Sequence, residues 1–219
     1  MINPTLTEEE EFILRHTAPD APALVPELTL QLATAITPIW QATEEWLAAR
    51  NLDPPFWAFA WPGGQALARH VLDHPALAAG KNVLDFAAGC GVAACACARA
   101  GAALVEAADI DPRAAAAIRL NAARNDVAVA TIATDVVGSA CRWDLILCGD
   151  VCYEAPMTAH ILPWLRAMAR SAEVWIADPG RAHLPREGLA PIAEYRVPTL
   201  LELEDRAERT AVLYRLAPG

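Results

Sequence analysis

Five side chains in this 219-residue sequence stand where chemistry could be done: Asp85, Asp109, Asp135, Asp150 and Tyr153. Each acid comes at or just after an apolar run with strand character. In "VLDFAAGCG" (83–91) a strand runs into Asp85, a small-residue loop follows, and a helix is expected from about Gly91. Glycines at 89 and 91 let such a loop turn and let a ligand approach the backbone. The helix N-terminus then offers free N–H groups to an anion. The next expected strand ends in Asp109, suited to accept hydrogen bonds from two ribose hydroxyls. The third ends in Asp135, where a carboxylate could take an adenine amino group.

Two nucleotide-type ligands compete for this loop. Gly89-x-Gly91-x-x-Ala94 satisfies the dinucleotide fingerprint, and Asp109 sits at the distance expected for NAD. The acid at Asp85 argues the other way, because dinucleotide loops follow apolar or small residues there. A carboxylate at that place suits the amino group of S-adenosylmethionine, and that ligand is preferred. An ordinary strand-to-helix turn is the bland alternative, and the three aligned acids weigh against it.

"LILCGDVCYE" (145–154) puts Gly149-Asp150 and Tyr153-Glu154 directly after an apolar strand. Carboxyl ends of strands in doubly wound sheets face the ligand crevice, so Asp150 and Tyr153 are expected to look toward a transferred methyl. Methyl transfer to an amine is an in-line displacement in which positive charge builds on the nitrogen. A carboxylate orients the amine and stabilises that charge, while a tyrosine narrows the approach. The alternatives are a helix cap at Asp150, for a segment starting near Ala155, and a core role for Tyr153.

The elements that would position these residues follow a clear rhythm. Residues 7–16 predict a short helix capped by Thr7, residues 18–26 a proline-rich connector, and residues 28–50 one or two amphipathic helices interrupted near Pro38. A helix is expected over 64–75. Strands are expected at 82–89, 103–111, 127–135, 143–150 and 173–181, with helices at 91–102, 112–126 and 155–172, the last broken by Pro163. Residues 194–205 and 209–218 read as an antiparallel pair joined by the charged turn around Arg206. The order implies an α/β fold, a doubly wound and mostly parallel sheet with an antiparallel C-terminal hairpin. A single domain is expected, with residues 1–50 as an N-terminal helical extension and 51–219 as the catalytic core.

A formal net charge of -10 has the wrong sign for a phosphate backbone and excludes nucleic acid as a partner; a basic protein segment fits better. No run approaches the ~20 apolar residues of a membrane span. "NPTLTEEEEF" after Met1 is acidic where a secretory or mitochondrial leader would be basic, so a cytoplasmic and bacterial protein is expected. The six cysteines show no convincing metal spacing and read as free thiols in a reducing compartment. His70 and His74 lie at i, i+4, with no third ligand in view, so no metal is expected. A monomer is favoured.

"PFWAFAWPGGQALARHVLDHP", "VLDFAAGCG", "ADIDP", "LILCGDVCYE" and "ADPGR" occur in that order. Together they resemble the family of electron transfer flavoprotein beta-subunit lysine methyltransferases, within the seven-strand protein lysine methyltransferases marked by an Asp-x-x-Tyr motif. The likeness covers about residues 50–216. It implies a seven-stranded Rossmann-like class I methyltransferase sheet, S-adenosyl-L-methionine as cofactor, and methylation of lysines in the flavoprotein's recognition loop, which would damp its electron exchange with dehydrogenases. It implies Asp150 and Tyr153 as the catalytic pair and places the tryptophan of the family's Trp-Pro-Gly-Gly segment on Trp61; with the residues read above, Trp61, Asp85, Ala87, Gly89, Gly91, Asp109 and Asp135 are expected around the cofactor. Such loops usually carry glycine where this chain has Ala87, a change that is tolerable if the φ of Ala87 is negative.

"DPPF" (53–56) also matches the Asp-Pro-Pro-aromatic motif of amino-group DNA methyltransferases. The place it would need, after the fourth strand, is taken by "GDVC", and the charge is wrong, so it is set aside. Pro54 and Pro55 are expected to stiffen the entry to the core, and Phe56 and Trp57, with Glu154, to line the lysine channel. Trp61 is expected to cover the cofactor and Phe59 to plug the core. Arg181 could meet an acidic substrate group or cap a strand, and His183 reads as surface loop. A ribosomal protein is an alternative acceptor, and a non-catalytic cofactor-binding module an alternative function.

Overall fold

The computed structural model describes residues 6–33, 54–199, 204 and 206–219. Helix α1, Glu8–His16, begins at Thr7, whose hydroxyl accepts from the Glu10 N–H while the Glu10 carboxylate takes the Thr7 N–H. This reciprocal cap satisfies two orphan donors and is the start predicted from the sequence.

The next segment departs from expectation. Strands β1 (Ala18–Asp20) and β2 (Leu30–Leu32) pair antiparallel where a connector and a helix were expected. The reason is tertiary. The Gln31 N–H donates to Asn121 Oδ1 at 2.7 Å and the Thr29 N–H to Asn125 Oδ1 at 3.0 Å. These amides sit on a distant helix and hold the backbone extended, while Leu30 and Leu32 are buried. The remainder of the expected helical stretch, residues 34–50, lies outside the described residues.

The core then alternates as the pattern demands. Helix α2 (Pro62–Asp73) precedes β3 (Asn82–Phe86), α3 (Val92–Arg99), β4 (Leu104–Ala108), α4 (Pro112–Arg124) and β5 (Ala130–Ile132). Then come β6 (Leu145–Gly149), α5 (Ala155–Met168), β7 (Glu173–Asp178), β8 (Leu189–Pro198) and β9 (Glu208–Leu216). Seven strands form one sheet in the order β5-β4-β3-β6-β7-β9-β8, parallel except for β9, which runs antiparallel to both neighbours. The third strand is shorter than expected, which leaves Asp135 beyond it in a turn. Strand β8 begins earlier than expected, at Leu189.

Successive residues of a strand point to opposite faces, and here both faces are covered. Val83, Leu145, Leu147 and Trp175 pack with Leu67 of α2 and Ala94 of α3. Leu84, Ile146, Cys148 and Ile176 pack with Trp164 and Leu165 of α5 on the other side. Each such leucine or isoleucine contributes roughly 1.5–3 kcal/mol by leaving water. Chain order reverses between β3 and β6, so the loops after Phe86 and Gly149 open side by side at the carboxyl edge, where such sheets bind ligands.

The N-terminus of α2 lies directly on that edge. A Cβ at Gly63 would stand 2.6 Å from Asp150 Oδ2, and one at Gly149 would stand 2.7 Å from the Gly64 nitrogen. The paired glycines of "WPGG" are therefore needed for the close approach of helix and strand. Among the described residues no helix is long and apolar enough to cross a membrane.

Candidate active site

Strand β3 delivers Asp85 to the bottom of the loop, where it is buried and accepts the Ala94 N–H of α3 at 2.8 Å. Burial, with the nearby charge of Asp109, pushes its carboxyl up to about 8. Among the described residues no cation pairs with it, so a positively charged amino group would match it. The loop itself is over-determined. The Ala88 N–H donates to the Ala108 carbonyl at 3.0 Å, and the Gly91 N–H to the Ala88 carbonyl at 2.8 Å. Gly89 and Gly91 adopt φ of +53° and +73°, as glycine permits.

Ala87 corrects an expectation, since its φ is +53°, not negative. Left-handed backbone costs a residue with a Cβ about 1–2 kcal/mol, and the loop's hydrogen bonds hold the residue there. Asp109 braces the same loop: its Oδ2 accepts the Gly89 N–H at 2.9 Å and its Oδ1 the Asp111 N–H at 3.0 Å. Burial raises its carboxyl as well. Asp135 is exposed, accepts the Val137 N–H, and pairs with His160 Nε2 at 2.8 Å, a partner that sequence reasoning missed.

A narrow cavity brings together Phe59, Trp61, Asp85, Ala87, Gly89 and Gly149, while Gly91, Asp109 and Asp135 lie outside its lining. The assignment of Phe59 to the core alone is thus corrected, for it also borders the cavity. Trp61 donates its indole N–H to the Phe56 carbonyl at 2.9 Å, with its ring 5.8 Å from that of Phe59. Trp57 does not line a channel. It is 2% exposed, packed with Ile13, Ala114 and Ala117 under the N-terminal helix, because its large apolar surface is the plug that α1 closes over.

At the end of β6, Asp150 takes a φ of +55° and is buried. Its Oδ2 accepts the Gly63 N–H, and its Oδ1 accepts Arg181 Nη2 at 2.8 Å and Nε at 3.2 Å. Burial pushes its carboxyl up to about 6, with Arg181 and the α2 amide pulling the other way. Asp150 is not the helix cap weighed above: Glu154 is the N-cap residue of α5, without a side-chain cap bond. Tyr153 is not a core aromatic but 38% exposed, its ring 5.5 Å from that of Phe56, itself 44% exposed.

Arg181 meets acids of its own chain. Its Nη2 also reaches Glu204 Oε1 at 2.6 Å, and its guanidinium lies 5.7 Å from the Trp61 ring centre. The turn that carries it is held by Asp178 Oδ1, which accepts the Gly180 and Arg181 N–H groups. The spacing in "ADPGR" was a usable signal for that turn, but nothing local announced Glu204. His70 donates or accepts at Tyr195 OH, 2.9 Å away, and His183 sits on an exposed loop. All six cysteines are free, and burial holds the thiols of Cys90 and Cys152 up at about 12, so they stay neutral.

A seven-stranded sheet in this order, with a glycine loop after β3 and acids closing β3 and β4, defines a class I S-adenosylmethionine-dependent methyltransferase. Residues 61–149 match the methyltransferase small domain family. The fold is similar to magnesium protoporphyrin IX methyltransferase from Synechocystis with S-adenosylhomocysteine bound, at a TM-score of 0.53 and 17% identity, over 70% of this chain and 82% of that one. Sequence relatives narrow the class. The electron transfer flavoprotein beta subunit lysine methyltransferase of Danio rerio is 36% identical over 94% of this chain and 82% of its own length. That of Xenopus laevis is 41% identical over 84% and 77%. The chain belongs to the electron transfer flavoprotein beta subunit lysine methyltransferase family.

Proposed function

We propose that this methyltransferase modifies lysine side chains of a protein, and that the protein is the electron transfer flavoprotein beta subunit. The observation that carries the reading is membership of a family whose relatives are named for that activity. Asp150 and Tyr153, beside the Asp85 cavity, support it, since a carboxylate and an exposed ring next to a cofactor cleft suit an amine acceptor.

S-adenosylmethionine, when bound, supplies a methyl group on a sulfonium. Asp85 would take its amino group, the N–H groups at the start of α3 its carboxylate, Asp109 the ribose hydroxyls and Asp135 the adenine amino group. Trp61 would cover it beside Gly89 and Gly91. The acceptor nitrogen must arrive neutral. Its lone pair forms the N–C bond as the C–S bond breaks, and the nitrogen's proton passes to solvent. Asp150 orients that nitrogen and stabilises the charge that grows on it, and Tyr153 with Phe56 walls the approach. Glu154 adds an acid at the rim, in keeping with a net charge of -10 that draws basic segments. Six free thiols support a reducing, cytoplasmic setting.

Mass spectrometry of the purified flavoprotein after incubation with this protein and S-adenosylmethionine tests the reading, with Asp150→Ala as control. Mass gains in single-methyl steps on beta-subunit lysines, absent from the control, are expected. Cofactor binding without any gain would discard this acceptor and turn the search to basic ribosomal proteins.

A further inference from the structure

We infer that Arg181 is a positioning residue for methyl transfer: held by Glu204, it fixes the Asp150 carboxylate in the orientation that faces the acceptor nitrogen. The inference rests on the reading of Asp150 given above.

The geometry has three parts. Asp178 Oδ1 captures the main-chain N–H groups of Gly180 and Arg181, which pins the start of the loop after β7. From there the Arg181 side chain reaches back to the end of β6 and lays Nε and Nη2 on Asp150 Oδ1. Glu204 takes the opposite edge of the guanidinium, through Nη1 at 3.2 Å and Nη2 at 2.6 Å, and is itself held by Arg209 Nε at 3.0 Å.

The carboxylate of Asp150 is thereby anchored at both oxygens, Oδ1 by the guanidinium and Oδ2 by the Gly63 N–H. An ionised carboxylate has about four acceptor sites, and these donors fill about three of them, which leaves one on Oδ2 for an incoming N–H. Neither donor alone would define the plane of the group. A planar guanidinium meets Asp150 and Glu204 at once in a fixed geometry; a lysine would meet them as a rotating point charge and fix the plane of neither.

Charge points the same way. Among the described residues, Asp150, Asp178 and Glu204 face Arg181 and Arg209, three acids against two guanidinium groups. The cluster therefore accommodates one more positive charge, which the acceptor nitrogen acquires during transfer. Asp178 Oδ2 is buried without a partner among the described residues, which keeps that excess negative character close to Asp150. Among the described residues, the neutral thiol of Cys152 and the hydroxyl of Tyr214, which burial and Asp178 push up, are further titratable neighbours.

The test uses the full chain and the variants Arg181→Met, Arg181→Lys and Glu204→Gln. Three quantities are measured: the Asp150 carboxyl titration by carbon NMR, assigned with Asp150→Asn; S-adenosylhomocysteine affinity; and the rate on the flavoprotein across pH. In Arg181→Met the Asp150 midpoint should rise by about one unit or more. The rate at neutral pH should fall roughly tenfold to a hundredfold, with cofactor affinity unchanged. The acid limb of the rate should follow the shifted midpoint, with Arg181→Lys intermediate; Glu204→Gln loosens Arg181 but also removes a negative charge beside Asp150, so it should lower the rate without raising the midpoint.

An unmoved midpoint and rate in Arg181→Met overturns the inference, as does a rate loss that only tracks lost cofactor affinity. Should Arg181→Met not fold, an unmoved midpoint and rate in Arg181→Lys overturns it, and a raised midpoint with a lowered rate supports it. Failure of the underlying reading looks different. If the unmodified protein leaves the flavoprotein unmethylated, the acceptor proposal fails and the carboxyl titration alone decides the role of Arg181. If Asp150→Asn methylates at full rate, the role of Asp150 and the inference on Arg181 fall together, and the acceptor proposal stands.

Discussion

The main-chain N–H of Gly63, in the first turn of α2, donates to Oδ2 of Asp150 at the end of β6. The bond crosses from a helix N-terminus to a buried carboxylate, so it joins a local dipole to the acid that the acceptor would meet. It is possible only because residue 63 lacks a Cβ, which would also meet the Ala177 carbonyl and the Asp150 nitrogen.

Gly63→Ala should therefore act on both stability and rate. The colliding atoms are backbone and a fixed carboxylate, so the helix must shift, at a cost of about 1–3 kcal/mol. Gly80→Ala is the control: it has open space at a φ of +71° and should cost only about 1 kcal/mol of backbone strain, with no effect on rate. Chemical denaturation and turnover of both variants check this. Equal losses with unchanged turnover would show that the contact at Gly63 relaxes freely.

Ala87→Gly should be neutral to mildly stabilising. Glycine removes the left-handed strain of about 1–2 kcal/mol but loosens the unfolded chain by about 0.5–1 kcal/mol, leaving a net gain of roughly 0–1.5 kcal/mol. The shift in urea midpoint measures it. A clear loss of stability would mean that the Ala87 methyl packs more than its partly buried position implies.

Phe56 and Trp57 are neighbours in sequence with opposite roles, and alanine separates them. Trp57→Ala empties a buried site and should cost about 3–5 kcal/mol. Phe56→Ala removes an exposed ring that touches Tyr153, so stability should change by less than about 0.5 kcal/mol, while the acceptor KM rises. Melting curves and steady-state kinetics, run side by side, decide it. A raised KM from Trp57→Ala alone would reverse the correction made above.

This pair also marks how far the sequence could be read. Thr7 as the cap of α1, Pro112 at the first position of α4, and the alternation of apolar runs with small-residue helices are local signals, and each foretold its element. What failed is held by distant partners. Leu28-Thr29-Leu30-Gln31-Leu32 does alternate, a short strand signal passed over in favour of the helix expected across 28–50, and Asn121 of α4 with Asn125 at its C-cap holds that backbone extended. Two adjacent aromatics cannot say which of them a remote helix will cover. Asp85, Asp109 and Asp150 were legible because each lies at or next to the end of its strand, whereas nothing near Glu204 in sequence announces that it meets Arg181.

Asp85 provides the pH-dependent test. Its folded value of about 8 lies above the ordinary carboxylate range because burial disfavours the charge. Between the unfolded value near 4 and about 8, the unfolded chain has lost the proton that the folded state keeps, so Asp85 lowers stability progressively as pH rises through that window. A cationic amino group arriving beside it reverses the preference and ionises it. S-adenosylhomocysteine binding at pH 7 should thus release a proton, seen as a heat that depends on the ionisation enthalpy of the buffer. Asp85→Asn should abolish that release, raise the melting temperature at neutral pH, and weaken binding by the roughly 1.5–3 kcal/mol of a charged hydrogen bond. Binding without proton release, at unchanged affinity in the asparagine variant, would remove Asp85 from the cofactor site.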